Sequence, residues 1–326
     1  MNNKKILITG ASGFIGSHLF EKLLKENNNI KGFDRYNIDN SWGWLNKLKK
    51  NNNIDFVLGD IRDYDSVYNA LTDCDSVIHL AALIGIPYSY ISPMAYIKTN
   101  IEGTYNVLEA SKKLGISNIV VLSTSEVYGS ARYKPMDENH PIIGQSPYSA
   151  SKIGSDQMAI SYFRSFEMPI KIARPFNTFG PRQSKRAIIP TIINQLLSKN
   201  DNVQLGNIDS TRDFTYVEDS CDGLIEILKS DNLFGEIVNI GSNNEVSIKE
   251  TFNKINQILN TNAKIKIDIN RKRPNLSEVL NLNCDNTKII QKTNWRPKYN
   301  FEAGLVKTIE WMRDTFDITD SKKYII

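Results

Sequence analysis

A tyrosine and a lysine four positions apart, Tyr148 and Lys152, are the residues with the clearest chemical potential. On a helix, side chains at this spacing lie on one face. A free phenol has a pKa of about 10, so a phenol that acts as a base near neutral pH needs a nearby cation, and the Lys152 ammonium can supply that charge. A hydroxyl from Thr124 can hold a substrate oxygen beside the phenol. This set predicts oxidation of an alcohol by hydride removal.

Glu126 places a carboxylate two residues after Thr124, and simple alcohol oxidation has no use for it. If C4 of a hexose is oxidised, the C5 hydrogen becomes acidic because it is alpha to the new carbonyl. Glu126 can then remove this hydrogen, the C6 hydroxyl can leave as water, and the stored hydride can return to C6. These steps make up a 4,6-dehydration. The alternative interpretation is that Glu126 only hydrogen-bonds to backbone where a strand ends.

A glycine-rich segment near the N-terminus predicts a dinucleotide site. A short apolar strand ends at Gly10-Ala11-Ser12-Gly13-Phe14-Ile15-Gly16, and an amphipathic helix follows at once. Glycines at such a turn let the backbone approach a pyrophosphate, and the helix N-terminus offers free N–H groups and a positive dipole end. The residues expected to contact the cofactor here are Gly10, Ser12, Gly13, Phe14, Ile15 and Gly16.

The aspartate that ends the second strand indicates which dinucleotide binds. Asp34 follows Gly16 by 18 residues, where a carboxylate would accept hydrogen bonds from the adenosine ribose hydroxyls. Its charge would repel a 2′-phosphate, which favours NAD over NADP, although Arg35 beside it weakens that preference. The alternative for Asp34 is an ordinary turn residue.

Alternating apolar runs and amphipathic stretches must position these residues. They predict an α/β fold, a Rossmann-type doubly wound parallel sheet with a smaller C-terminal α/β substrate-binding lobe. Strands are expected at 4–9, 30–34, 54–58, 76–80, 118–122 and 170–174, and a strand at 236–240 is expected to return to the same sheet. Helices are expected at 14–26, 63–71, 93–113, 148–167, 187–199, 217–229, 247–260 and 301–316. The predicted division is a dinucleotide-binding domain at 1–175 and a mainly substrate-binding lobe at 176–326.

Composition excludes several classes of protein. The 326 residues are 40% hydrophobic and 23% charged, with a formal net charge of +4. So small a charge argues against nucleic acid as a partner, although 47–50 and 271–273 are short basic runs. No apolar run approaches the roughly 18 residues of a membrane span. The three cysteines lie far apart and suit neither a disulfide framework nor a metal site, so we expect a cytoplasmic protein with reduced thiols.

The order of these motifs resembles the extended short-chain dehydrogenase/reductase family. The likeness rests on the GxxGxxG spacing, on Gly59-Asp60-Ile61-Arg62-Asp63 and His79-Leu80-Ala81-Ala82 after strands three and four, and on Ser123-Thr124-Ser125-Glu126 ahead of Tyr148 and Lys152. It covers nearly the whole chain. It implies that Asp60 reaches the adenine and that other cofactor contacts come from Arg35, Ile61, Leu80, Ala81, Ala82, Asn100, Tyr148 and Lys152. His79 is expected to be a structural histidine.

Thr124-Ser125-Glu126 followed by Val127-Tyr128-Gly129 resembles the signature of sugar-nucleotide dehydratases. The resemblance implies a catalytic set of Thr124, Ser125, Glu126, Tyr148 and Lys152. Enzymes for dTDP-glucose usually have aspartate in place of Ser125, so the group that protonates the leaving C6 hydroxyl stays open. Decarboxylases of nucleotide-linked glucuronate share Thr-Ser-Glu, and that activity is the main alternative. A 4-epimerase and a non-catalytic NAD-binding regulatory protein are further alternatives.

The segments 147–154 and 174–183 most closely resemble the dehydratases of the legionaminic acid pathway, which act on nucleotide-linked N-acetylglucosamine. The resemblance implies a nucleotide-sugar substrate. Its expected binding residues are Asn177, Arg182, Arg212 and Arg273, of which the last two would grip the diphosphate. A surface salt bridge is the alternative for each arginine. Family members commonly dimerise through helices like 93–113 and 148–167, so a homodimer is expected.

Overall fold

Seven parallel strands form the central sheet of the computed structural model, which describes residues 4–26, 28–48 and 54–315. The strands are β1 (Lys5–Thr9), β2 (Asn29–Arg35), β3 (Ile54–Gly59), β4 (Ser76–His79), β5 (Asn118–Leu122), β6 (Ile170–Pro175) and, later in the chain, β10 (Ile237–Ile240). Their order is β10-β6-β5-β4-β1-β2-β3. The chain runs outward from β1 on one side and from β4 on the other, which confirms the predicted doubly wound sheet and creates a crevice at the carboxyl ends of the strands.

Five shorter strands lie outside this sheet and were not predicted. β7 (Asn177–Phe179), β9 (Thr211–Tyr216) and β11 (Glu245–Ser247) form one sheet, and β8 (Asn202–Leu205) pairs with β12 (Lys264–Ile267). They have three to six residues each, too few to carry a sustained alternation of apolar and polar residues. The strand expected at 236–240 is β10, which pairs with β6 in the main sheet.

Helices cover both faces of the main sheet and build the second lobe. They are α1 (Phe14–Lys25), α2 (Tyr64–Leu71), α3 (Ile86–Ile91), α4 (Pro93–Tyr96), α5 (Gly103–Leu114), α6 (Pro147–Phe166), α7 (Ile188–Leu197), α8 (Val217–Lys229), α9 (Ile248–Ile258), α10 (Thr287–Lys292) and α11 (Phe301–Asp314). A π-helical segment, Ile97–Glu102, joins α4 to α5, so the helix expected at 93–113 is continuous but irregular. α3 and α10 were not predicted. The last residue of the helix expected at 301–316, and part of the basic run at 47–50, lie outside the described residues.

Apolar side chains pack on both faces of the sheet. Ile6, Leu7 and Ile8 are all fully buried, but Ile6 and Ile8 join one apolar cluster whereas Leu7 joins another. Successive side chains of a strand point to opposite faces, so a strand covered on both faces needs an uninterrupted apolar run. The cluster around Ile6 continues into α9 and α11, so the second lobe shares a core with the sheet. Within the described ranges no helix combines the length and the apolarity of a membrane span.

The turn between β1 and α1 leaves no space for side chains at its glycines. Gly10 has φ +71°, and a Cβ there would lie 3.0 Å from the backbone of Ala81. A Cβ on Gly16 would lie 2.1 Å from the carbonyl oxygen of Gly10. Only glycine meets both requirements without moving backbone.

We predict that Gly16→Ala lowers the free energy of unfolding by about 1–3 kcal/mol and weakens dinucleotide binding, because the added methyl displaces the Gly10 backbone. Thermal unfolding and a fluorescence titration with NADH measure the two effects. Gly115→Ala is the matched control: Gly115 has φ +66° but open space around a Cβ, so it tests backbone strain alone and should bind NADH normally. Wild-type NADH affinity in Gly16→Ala would contradict the packing argument.

Candidate active site

A cavity of about 1090 Å³ opens between the carboxyl ends of the main strands and the second lobe. Predicted site residues from both parts of the chain line it, which are Phe14, Ile15, Leu80, Ala82, Thr124, Glu126, Tyr148, Lys152, Asn177, Arg182, Arg212 and Arg273. The cavity lies where a doubly wound sheet places its ligand, at the reversal of strand order. Among the described residues, no group of histidine, cysteine, aspartate and glutamate side chains is arranged to hold a metal ion.

Tyr148 is held at the start of α6 by the way that helix begins. Ser146 accepts a hydrogen bond from the Ser149 N–H at 3.1 Å, and the Ser149 hydroxyl accepts one from the Ser146 N–H at 2.9 Å. This reciprocal cap, with Pro147 as the first helical residue, fixes the turn that carries Tyr148. Burial raises the pKa of the Tyr148 phenol, a hydrogen bond with Thr124 lowers it, and the nearby Glu126 charge raises it. Tyr148 is therefore a neutral phenol at pH 7 in this structure.

Lys152 lies one turn after Tyr148 and is buried. Its ammonium donates to the Leu122 carbonyl oxygen at 2.6 Å, where β5 ends. Burial lowers the pKa of Lys152 to about 8, so the group still carries its charge at pH 7. The sequence analysis expected this charge to favour the phenolate of Tyr148. Burial outweighs that effect, because it disfavours the charged form of both groups.

Thr124 and Glu126 come from a 3₁₀ turn, Ser125–Tyr128, directly after β5. The Thr124 hydroxyl accepts a hydrogen bond from the Glu126 N–H at 3.2 Å and so caps the turn. The Glu126 side chain is buried, and its carboxylate accepts no hydrogen bond from the described residues but lies 3.8 Å from Arg273 Nη1. A purely backbone-capping role for Glu126 is therefore not what the structure contains. Ser125 is buried and is absent from the described lining of the cavity.

The glycine turn and Asp34 form one hydrogen-bonded unit. Asp34 Oδ2 accepts from the Ser12 N–H at 2.8 Å and from the Ser12 hydroxyl at 2.5 Å, while Oδ1 accepts from the Arg35 N–H at 2.7 Å. Gly13 precedes α1 without any side-chain cap, so the first-turn N–H groups face outward unsatisfied by side chains. A diphosphate is the kind of group that such a turn accommodates.

Other predicted cofactor residues differ in how they relate to this turn. The backbone around Ala81 abuts Gly10. Asp60 is paired with Arg62 at 2.5 Å, and that hydrogen bond lowers its pKa. Ile61 is buried in the core. Asn100 does not reach the cavity: its amide accepts from the Leu83 N–H at 2.8 Å and donates to the Leu83 oxygen at 3.0 Å, which holds the segment after β4 in place.

His79 is a satisfied structural histidine, as the sequence analysis predicts. Its Nδ1 lies 2.8 Å from the Thr9 hydroxyl and its Nε2 lies 3.1 Å from the Thr104 hydroxyl. Burial lowers the pKa of His79 to about 3, with a smaller contribution from the Lys152 charge. His79 is therefore neutral and cannot supply a proton at pH 7.

The second lobe contributes polar atoms that are buried without a hydrogen-bond partner among the described residues. They are Asn177 Oδ1, Arg182 Nη1, Arg273 Nη1 and Gln183 Oε1. The arginines also face carboxylates: Arg182 Nη2 lies 3.0 Å from Glu21, and Arg212 Nη2 lies 3.6 Å from Glu278. Burial lowers the pKa of Arg212, which indicates how far this cation is withdrawn from water. Desolvated donors and acceptors of this kind suit a charged, polar ligand.

Two contributors to the site were missed in the sequence. Gln183 lines the cavity, and Tyr96 packs edge-on against Tyr148 with ring centroids 6.2 Å apart. The Tyr96 hydroxyl donates to the Gly85 oxygen at 2.5 Å, which holds the loop before α3 against the catalytic phenol. Three tyrosines in the segment that follows β4, Tyr88, Tyr90 and Tyr96, were the available signal, because this segment leaves the carboxyl end of a central strand.

Comparisons with known proteins agree with this geometry. The profile described as GDP-mannose 4,6 dehydratase matches residues 7–308. A UDP-N-acetyl-alpha-D-glucosaminuronate decarboxylase of Bacillus cytotoxicus is 32% identical over 95% of this chain and 98% of its own length.

Solved structures give the same result for the fold. A dTDP-glucose 4,6-dehydratase of Streptomyces venezuelae with NAD bound is 29% identical, with a TM-score of 0.87 over 95% of this chain and 97% of its own. A UDP-glucuronic acid 4-epimerase of Bacillus cereus, in complex with UDP-glucuronic acid and NAD, is 30% identical, with a TM-score of 0.89 over 96% of this chain and 100% of its own. The chain therefore belongs to the GDP-mannose 4,6-dehydratase family of NAD-dependent epimerases and dehydratases, the short-chain dehydrogenase type that its motifs predict.

Proposed function

We propose that this chain is a nucleotide-sugar 4,6-dehydratase that uses NAD and converts a nucleotide-linked hexose into a 4-keto-6-deoxy sugar. The position of Glu126 is the observation that supports it most. Its buried carboxylate lines the same cavity as Tyr148 and Lys152 and accepts no hydrogen bond from the described residues. A carboxylate kept available beside the site of oxidation is what removal of the C5 proton requires.

Several features support NAD as the cofactor. The uncapped start of α1 offers N–H groups to a pyrophosphate, and the glycines at Gly10 and Gly16 leave its approach open. Asp34 places a carboxylate at the end of β2, which disfavours a 2′-phosphate. When bound, NAD accepts the hydride from C4, returns it to C6 and brings the positive charge of its oxidised ring. The residues 80–82 and Asp60 belong to this proposed site.

In the proposed first step, Tyr148 takes the proton of the O4 hydroxyl while Thr124 holds the same oxygen. The phenol must first lose its own proton, and added positive charge in the cavity favours that loss. Lys152 remains a cation at pH 7. In the second step Glu126 removes the C5 proton. Because Ser125 is not among the described lining residues, Glu126, once protonated, is the group we assign to protonate the leaving C6 hydroxyl.

The nucleotide-sugar would be held by the second lobe. Arg212 and Arg273 are the cations placed for the diphosphate, and the unpartnered Oδ1 of Asn177 can accept from a sugar hydroxyl. Arg182 is a further contact. We take the sugar to be N-acetylglucosamine, as in the legionaminic acid pathway, on the strength of the segments 147–154 and 174–183.

One observation favours a second candidate, decarboxylation of a nucleotide-linked uronate. Arg273 Nη1 lies 3.8 Å from Glu126, so a cation stands where a C6 carboxylate could be bound. The 4-ketone of such a sugar is a beta-keto acid, which loses carbon dioxide without a base at C5. A decarboxylase would leave Glu126 with no proton to remove, and for that reason dehydration is preferred.

A substrate panel with mass spectrometry tests the proposal. We predict loss of water from N-acetylglucosamine when UDP-, GDP- and dTDP-linked glucose, N-acetylglucosamine, mannose and glucuronate are supplied. Loss of carbon dioxide from the glucuronate would overturn dehydration in favour of decarboxylation. An isomer of unchanged mass would indicate a 4-epimerase, and no conversion of any member would indicate a non-catalytic NAD-binding protein.

Two variants separate the proposed steps. We predict that Glu126→Gln slows water loss by roughly 10²–10⁴-fold and accumulates reduced nicotinamide, because oxidation at C4 proceeds and C5 deprotonation does not. Tyr148→Phe should abolish both signals while retaining NAD binding, because the first proton transfer is blocked. Absorbance of the reduced ring and product mass are the measurements. Wild-type water loss in Glu126→Gln would exclude Glu126 as the base.

We also propose a homodimer formed through the helical stretch 93–114 and α6. Met94, Ile97 and Tyr105 are 58%, 46% and 42% exposed, a set of apolar side chains that water disfavours. Ile97→Glu is expected to give a monomer in light scattering, because burying a charge in the interface is costly. Ile269→Glu is the matched control, since Ile269 is 78% exposed and lies in another part of the chain. A monomeric wild-type protein would contradict the proposal.

A cytoplasmic location is part of the same proposal. Cys74, Cys221 and Cys284 are unpaired, and burial raises the pKa of each thiol. Free, unreactive thiols suit a reducing compartment. Recovery of the protein outside the cytoplasm in cell fractionation would contradict it.

A further inference from the structure

A buried ion pair lies one helical turn beyond Lys152. Asp156 Oδ2 accepts hydrogen bonds from Arg174 Nε at 3.1 Å and from Arg174 Nη2 at 2.9 Å, and both side chains are fully buried. On α6 the carboxylate and the Lys152 ammonium are four positions apart and share a face. Removing two charges from water costs several kcal/mol for each ion, so a buried pair is weak evidence for stability alone. Its place beside the catalytic lysine points to another use.

The same helix face binds the end of β5 with opposite polarity at two adjacent residues. Lys152 donates to the Leu122 carbonyl oxygen at 2.6 Å, and Asp156 Oδ2 accepts from the Ser123 hydroxyl at 2.7 Å. The residue after Ser123 is Thr124, the hydroxyl that faces Tyr148. The two hydrogen bonds therefore set the register of α6 against the strand that carries Thr124.

Arg174 extends the contact to the turn that carries Glu126. Its Nη1 donates to the Tyr128 hydroxyl at 3.1 Å, and the Tyr128 hydroxyl donates to Asn239 Oδ1 at 2.7 Å. Tyr128 is the last residue of the 3₁₀ turn, and Asn239 lies on β10. One buried network thus joins α6, β5, β6, β10 and the turn of the proposed base.

We infer that Asp156 is a positioning residue for this reaction, whose carboxylate keeps the Lys152 ammonium charged and, through Ser123 and Arg174, aligns Tyr148 with Glu126. The inference rests on the proposed function only in taking Lys152 as the cation that serves Tyr148. Asp156 Oδ1 is buried and has no hydrogen-bond partner among the described residues. Half of the carboxylate is therefore not used by Arg174 or Ser123.

The charges around Lys152 support this role. The titratable groups packed about it are His79 on β4, Tyr148 and Asp156 on α6, and, beyond Tyr148, Glu126 on the turn and Arg174 on β6. His79 is neutral, since its pKa is about 3, and Tyr148 is a neutral phenol. Burial lowers the pKa of Lys152 to about 8, and the Asp156 charge opposes that fall. Without this charge, Lys152 would lose its proton at a lower pH.

The test measures the ionisation of Lys152 in the purified holoenzyme without any sugar substrate. Trace labelling with acetic anhydride across a pH series, followed by mass spectrometry of the peptide that contains Lys152, gives the midpoint at which the amine becomes reactive. We expect a wild-type midpoint near pH 8 and a midpoint about one pH unit lower in Asp156→Asn. Asp222→Asn is the control, because Asp222 pairs with Lys22 and Lys298 on another helix and should leave the midpoint unchanged.

A second variant covers the case in which Asp156→Asn does not fold because Arg174 is left buried without a counter-charge. Asp156→Asn with Arg174→Gln removes both charges, so it avoids that penalty, and the same downward midpoint is expected. A wild-type midpoint in either folded variant would overturn the inference. Because the labelling needs no nucleotide-sugar, a failed substrate panel with a shifted midpoint would sink only the proposed function, whereas an active enzyme with an unshifted midpoint would sink only the role of Asp156.

Discussion

The structure depends on withdrawing a phenol, an ammonium and two carboxylates from water where β5 meets α6. Burial acts on each group in the same sense, against its charged form. It lowers the pKa of Lys152 to about 8 and raises that of Tyr148. The cation is thus barely retained and the phenolate is withheld, so modest added charge can change the state of either group. A surface site with the same residues would have no such sensitivity, because water would screen it.

The second lobe completes the site by bringing cations to it, and each of them faces a carboxylate. Arg273 lies 3.8 Å from Glu126, Arg212 lies 3.6 Å from Glu278, and Arg182 lies 3.0 Å from Glu21. Pairing of this kind keeps partly buried guanidinium groups from being left without a counter-charge. A diphosphate offers two negative charges in return, so the arginines can be placed before the ligand arrives without destabilising the lobe.

The sequence predicts the parts of this site that are local in the chain. The glycine turn, the Tyr148 and Lys152 pair and Glu126 each carry their signal within a few residues, and the buried strands of the main sheet are visible as apolar runs. Asn100 was assigned to the cofactor, yet its amide is used up by the backbone of Leu83, because its neighbours come from a distant segment. Gln183, Asp156 and the short strands of the second lobe went unrecognised for the same reason: their roles come from partners brought together only by folding.

The comparison with relatives makes the division of labour between the lobes clearer. A dehydratase, an epimerase and a decarboxylase share this fold, and oxidation at C4 requires only Thr124, Tyr148 and Lys152 of the groups found here. These three lie on elements of the main sheet and α6. What happens after oxidation depends on whether Glu126 is free to take the C5 proton, and its charged neighbour, Arg273, comes from the second lobe. A diphosphate that draws Arg273 away would leave Glu126 as an unpaired buried carboxylate, which favours proton uptake. The choice of reaction is therefore set by what the second lobe places opposite one glutamate.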